Sequence, residues 1–248
     1  MARMVEQPEQ YERRADGATS PSVGLSATGM ALLAAALADG RSTLLRAAMN
    51  EPERLLIGGL RQLGVTVLES MPADHIEIVG HGGHWIDADL DIDCDRQPAA
   101  TNLLLAACAL GRGQYRLKGA AIDSPAVKSL ANALIDLGLR LHIEDDPTKP
   151  AIQIGASPFR GGDTVVVDPG AADAVSSLLL VAACAAGDVF VETPIWPSRP
   201  DGLAVALRIL DRFGVVVIDD LGNRFIVPAP QVYAASECDL AEWGTPPS

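Results

Sequence analysis

Aromatic side chains are scarce in this chain. Three Trp, three Tyr and four Phe make up 4% of 248 residues, while hydrophobic residues make up 48%. The core is therefore expected to be Ala, Leu, Val and Ile, which suits helices packed closely through small residues. Positive charge is scarce too: 19 Lys and Arg stand against 32 Asp and Glu, a formal net charge of −13. Such a surface repels phosphate backbones and anionic lipid, so neither nucleic acid nor a membrane is expected as a partner. A strongly anionic substrate would need a local basic pocket to override the same field. Cysteine is confined to Cys94, Cys108, Cys184 and Cys238, with no paired spacing. Cys108 and Cys184 lie in apolar helical patterns and read as small buried residues, which fits a reducing cytoplasm. No apolar run reaches about 18 residues, so no membrane span is expected. Residues 1–20 hold no apolar signal core, so no signal peptide is expected.

What is present is a repeat. The stretches LAAALADG, LAACALGRG and LVAACAAG are variants of one helix ending. Their last glycines, Gly40, Gly113 and Gly187, are 73 and 74 residues apart. A second landmark follows each: GLRQLGVTV, ALIDLGLRL and ILDRFGVVV, with Gly64, Gly138 and Gly214 spaced by 74 and 76. Two independent landmarks with one period indicate a supersecondary unit used three times around a shared core.

Inside each unit the pattern changes period in the same order. A short extended segment leads into an Ala/Leu-rich helix, at 28–39, 98–110 and 172–186. A strand follows, then a second helix at 51–63, 126–137 and 202–213. The glycine after each second helix suits a C′ position with positive φ. Two strands close the unit, such as VVVIDD and RFIVPA, joined at 220–223 by the hairpin sequence DLGN. The fold class expected is mixed α/β, three βαβαββ units with pseudo-threefold symmetry, helices inside and sheets outermost. One lobe spans 21–228, with units at 22–94, 95–168 and 169–228. Segments 1–20 and 229–248 read as tails, the second with Tyr233 and Trp243 available to dock it.

From residue 21 to 227 this pattern resembles one lobe of the enolpyruvyl transferase family, an inside-out α/β barrel. The resemblance implies two such lobes closing on substrate, with Lys and Arg holding phosphate and carboxylate groups. The chemical positions depart from that pattern. The family's Gly-Ser-Lys-Ser followed by Asn-Arg aligns with 23–30, where Leu25 stands for the lysine, Met30 for the arginine, and Ser26 is kept. Gly-Asn-Ala-Gly-Thr with its later Arg aligns with 95–99 and places Asn102 at the arginine. The family's Arg-x-Arg aligns with 121–124, which holds no arginine. Ser-Ser-Gln becomes Ala171-Ala172-Asp173, and Ser-Lys-Pro-Tyr becomes Ser198-Arg199-Pro200-Asp201. Each lost charge-assisted contact removes roughly 1.5–3 kcal/mol, so carboxyvinyl transfer is not expected.

The replacements suggest other chemistry. Asp95, Asp173 and Asp201 come from different units, and the fold is expected to converge them as general acids or bases. The plainer reading makes them helix caps and first-turn acids. Ser26, Arg96, Gln97, Asn102, Ser124, Lys128, Ser198 and Arg199 are the expected substrate contacts. His81-Gly82-Gly83-His84 reads as a turn between strands, and neither a metal nor a cofactor is expected. The function expected is acid–base chemistry, a dehydration or isomerisation, on a cyclic shikimate-like or other carboxylated small molecule. The alternatives are a non-catalytic binding or partner subunit and residual carboxyvinyl transfer. An open lobe also exposes its helix openings and an apolar rim at Leu25, Met30 and Trp196. A second copy in a homodimer, or a terminal segment, is expected to close that face.

Overall fold

The computed structural model describes residues 24–70, 74–144, 146, 148–168 and 170–243. The segment expected as an N-terminal tail, 1–20, lies outside the described residues. In the first unit α1 (Ala27–Leu37) runs into β1 (Ala38–Leu45), α2 (Glu51–Gln62), β2 (Thr66–Ser70) and β3 (His75–His81). The second unit is β4 (Leu90–Asp93), α3 (Pro98–Cys108), β5 (Tyr115–Lys118), α4 (Pro125–Asp136), β6 (Arg140–Glu144) and β7 (Ala151–Gly155). The third is β8 (Gly162–Val165), α5 (Ala172–Ala182), β9 (Val189–Glu192), α6 (Asp201–Arg212), β10 (Ile218–Asp220) and β11 (Arg224–Val227). Two short strands follow, β12 (Tyr233–Ala234) and β13 (Glu237–Asp239).

Helices α1, α3 and α5 are Ala/Leu-rich on every side and bury nearly all their residues. A helix apolar all round belongs inside, and these three meet at the centre of the lobe. The other three are amphipathic and fill the gaps: α2 packs on α1 and α3, α4 on α3 and α5, α6 on α5 and α1. In α2 the buried face is Glu53, Leu56, Ile57 and Leu60, the spacing of one helical stripe. Close packing sets its limits. A Cβ at Gly59 of α2 would lie 2.3 Å from Leu104 of α3. Gly59→Ala would therefore force the buried Leu104 side chain to shift.

The sheets lie outside this core, one per unit. The second has the order β4-β5-β7-β6 and the third β8-β9-β11-β10. In each, the first pair is parallel and the others antiparallel. β4 thus belongs to the second unit's sheet, although the expected boundary at 94 assigned it to the first. The first unit's own strands are β1, β3 and β2, with no preceding parallel strand among the described residues. The C-terminal segment supplies it. β12 and β13 run parallel to β1, pairing Ala38 with Tyr233 and Thr43 with Glu237. The stretch from 229, expected as a tail, is therefore structural over 233–239. Tyr233 is buried and its hydroxyl donates to the Leu180 carbonyl at 2.6 Å.

The second set of landmark glycines behaves as expected. Gly64, Gly138 and Gly214 have φ of 93°, 97° and 77°, the left-handed turn that ends each outer helix. The Asp219 carboxylate accepts the Gly222 N–H at 3.0 Å in the β10–β11 hairpin.

Candidate functional site

The helix openings lie at one end of the lobe. Ser26 caps α1: its Oγ accepts the Gly29 N–H at 2.9 Å. The same hydroxyl donates to Glu53 Oε1, in the first turn of α2, at 2.5 Å. Glu53 Oε2 accepts the Asn50 N–H at 3.0 Å, half of a capping box. Beside this pair lies a cavity of about 360 Å³, which Ser26 and Glu53 share with Gly24, Arg96 and Gln97. The openings of α1, α2 and α3 thus form one corner. Ser26, Arg96 and Gln97 are brought together as expected contacts, though from two units rather than three.

Glu53 was not among the expected site residues. It is 3% exposed. Its sequence setting, Asn50-Glu51-Pro52-Glu53, reads as a helix start and gives no sign that the carboxylate also reaches the cap of another helix.

A second corner forms where α1, α5 and α6 open. Asp173 lies in the first turn of α5. Its Oδ1 is 3.6 Å from where a Cβ on Gly24 would sit and 3.8 Å from the same point on Gly202. Burial pushes its pKa above the ordinary aspartate value of 3.8, and a hydrogen bond from the Leu25 N–H pulls only partly the other way. Asp201, next to Gly202, is exposed.

The third expected carboxylate is elsewhere in character. Asp95 is exposed, has φ of 42°, and does not line the cavity. Its N–H donates to Asp93 Oδ1 at 3.0 Å and its carbonyl accepts the Ala121 N–H at 2.7 Å. It is a corner residue that ties the end of β4 to the turn before α4. Three converging aspartates are therefore reduced to Asp173 with Asp201 nearby.

Other expected contacts are spent or hidden. Lys128 pairs with Asp123 at 2.8 Å, in a separate depression that Glu144 and Asp146 also line. Arg199 pairs with Asp219 of the β10 strand. Ser124 precedes α4 without a side-chain cap bond, and Ser198 is exposed. Asn102 is fully buried in α3, and neither side-chain polar atom has a hydrogen-bond partner among the described residues. The expected apolar rim is also corrected. Leu25 is 8% exposed and Met30 0%, so both belong to the core. The exposed apolar residues in the loops leading to α5 and α6 are Val167 and Ile195. The thiols are not activated: burial pushes Cys94 up to about 11 and Cys184 to about 12. No helix among the described residues is long and apolar enough to cross a membrane.

Three sheets around a triad of buried helices, with helix openings gathered in two corners that share α1, define an enolpyruvyl transferase lobe. The same shape is found in EPSP synthase from Acinetobacter baumannii, with a TM-score of 0.71 at 18% identity, covering 87% of this chain and 48% of that one. It is found again in the enolpyruvyl transferase NikO from Streptomyces tendae, with a TM-score of 0.64 at 14% identity, covering 86% and 49%. The sequence matches the family model of EPSP synthase (3-phosphoshikimate 1-carboxyvinyltransferase) across residues 16–239, and the chain belongs to that family. Relatives named 3-phosphoshikimate 1-carboxyvinyltransferase include one from Sulfurovum sp. (strain NBC37-1), 26% identical over 219 residues, 88% of this chain. Another, from Shewanella sp. (strain ANA-3), is 30% identical over 220 residues, also 88% of this chain. The chain spans about half the length of these curated relatives, 51% in both cases.

Proposed function

We propose that this lobe binds a small carboxylated, shikimate-like molecule and transforms it by proton transfer rather than by carboxyvinyl transfer. The observation that carries the reading is Asp173: a carboxyl with a raised pKa, set where three helices open and walled by two glycines. A desolvated carboxyl of this kind takes and returns a proton more readily near neutrality than an exposed one. In a dehydration, a proton beside a carbonyl moves to Asp173. A hydroxyl on the next carbon then leaves as water when Asp173 gives the proton back. The helix openings supply backbone N–H groups for the enolate formed between these steps. Leu25 and Met30, where the resemblance would place cations, are apolar and buried, which favours a substrate without phosphate.

The test is solvent exchange. Cyclic β-hydroxy ketones bearing a carboxylate, incubated with the protein in D₂O, should take up deuterium beside the carbonyl, as read by NMR. Asp173→Asn should slow this by about 10²–10⁴-fold. The rising limb of the wild-type pH profile should lie above 3.8, displaced in the direction of the Asp173 shift. Exchange unaffected by Asp173→Asn would end the reading.

A further inference from the structure

The Ser26–Glu53 pair decides what kind of group the α1–α2–α3 cavity can hold. The two oxygens of Glu53 receive the Ser26 hydroxyl and the Asn50 N–H, both neutral donors. The ion pairs formed among the described residues do not include Glu53. A carboxylate oxygen carries two lone pairs, so each retains room for a further donor. A buried carboxylate without a cation is also costly, which makes a cation the favoured addition.

Ser26 adds to the same polarity. Its one hydroxyl proton is committed to Glu53, and one lone pair to the Gly29 N–H. What remains for the cavity is an acceptor. Glu51, exposed at the mouth, brings a second negative charge. The side chains of Glu53 and Ser26 on this wall accept further hydrogen bonds and offer none. A ligand carboxylate or phosphate placed against those two side chains meets like charge and no side-chain proton. An ammonium meets acceptors and a buried anion.

Arg96 also lines the cavity, and its side chain makes no hydrogen bond or ion pair among the described residues. A free guanidinium suits a carboxylate, which it can hold through two parallel bonds. Gln97 adds an amide at the same wall.

We propose that this cavity binds a small zwitterion: an amino-substituted carboxylic acid with its ammonium on Glu53 and Ser26 and its carboxylate on Arg96. The volume of about 360 Å³ accommodates such a molecule. The inference rests on the proposed function only in taking this face as a small-molecule site. It names the charge pattern of the ligand, which Asp173 does not determine.

Two acids with one ring test it. trans-4-Aminocyclohexanecarboxylate and trans-cyclohexane-1,4-dicarboxylate differ only in the charge at one end. Titrated calorimetrically into the full chain at pH 7 and low salt, the amino acid should bind at least about tenfold more tightly, a difference of about 1.4 kcal/mol. Glu53→Gln removes the charge with little change of shape and should bring the two within about threefold of each other. Arg96→Ala, at an exposed position, should weaken both by about tenfold or more. The wild-type ratio and Arg96→Ala decide the matter even if Glu53→Gln does not fold. Preference for the dicarboxylate, no detectable binding of either acid, or affinities unmoved by Arg96→Ala overturn the proposal. The exchange experiment is read separately. Zwitterion preference without exchange breaks the proposed chemistry alone, and exchange without the preference breaks this inference alone.

Discussion

Two carboxylates at the same face of the lobe are held in opposite ways. Glu53 sits in the α1–α2–α3 corner, where a serine hydroxyl and a backbone N–H each meet one of its oxygens. Those contacts also cap two helices, so the fold is built around the carboxylate. Asp173 sits in the α1–α5–α6 corner with one backbone donor against burial, and its pKa rises. Neighbouring helix starts of one repeated architecture thus give one carboxylate that supports the fold and one that burdens it. Burial alone does not distinguish them; the supply of donors does.

This contrast can be broken by experiment. The largest effect expected is chemical, the loss of exchange in Asp173→Asn. On stability the two corners should give opposite signs. Glu53→Ala strips the Ser26 hydroxyl and the Asn50 N–H of their acceptor and should cost about 2–4 kcal/mol in urea unfolding, from two partly buried hydrogen bonds and a weakened cap. Asp173→Asn should stabilise at neutral pH. A carboxyl whose folded pKa is raised contributes most below its unfolded value and loses that contribution as pH climbs through the folded one. The advantage of Asp173→Asn should therefore vanish below 3.8 and grow as pH rises. A loss in both variants would mean that Asp173 also supports the fold.

A smaller gain is expected at Asn102. Its amide is buried without partners among the described residues, so Asn102→Leu, of similar volume, should add about 1–3 kcal/mol. Destabilisation would show that a bound group satisfies the amide in solution. The smallest effect belongs to Glu144, on the outer sheet. Arg116 holds it through two bonds of 3.1 and 2.9 Å, and Gln153 adds one of 2.7 Å. Arg116 first, then Gln153, pull its pKa from 4.5 to about 2. That contribution is present above 4.5 and lost as pH falls through about 2. Glu144→Gln should thus be slightly less stable at pH 7, with the gap closing in acid and shrinking in salt, because the pair is exposed.

The repeat was legible because glycines and Ala/Leu helices recur with one period, and Gly64, Gly138 and Gly214 share one backbone conformation. β12 and β13 were not, because two- and three-residue strands separated by Ala235 and Ser236 carry no alternation long enough to read. Ser26, Arg96 and Gln97 were legible as helix-start residues, which this architecture gathers on one face. Asp95 shares that place in the sequence but turns the chain with positive φ, which spacing does not reveal. Glu53 stayed hidden because one carboxylate serves two helices, and its own segment records only one of them. Asn102 aligned with a ligand-binding arginine, yet its shorter side chain lies wholly within the helix triad.

The borrowed parallel strand has a consequence for the order of assembly. Ser42 Oγ accepts the N–H of Ser236, 194 residues further along the chain. During synthesis the first unit emerges first, yet no other described strand pairs this edge of β1 until residues 233–239 have left the ribosome. An open strand edge invites pairing with other chains, and contacts of such long sequence separation form slowly. The earliest-made third of this lobe is therefore the last to be finished, and its exposed edge makes the nascent chain most vulnerable to aggregation in that interval.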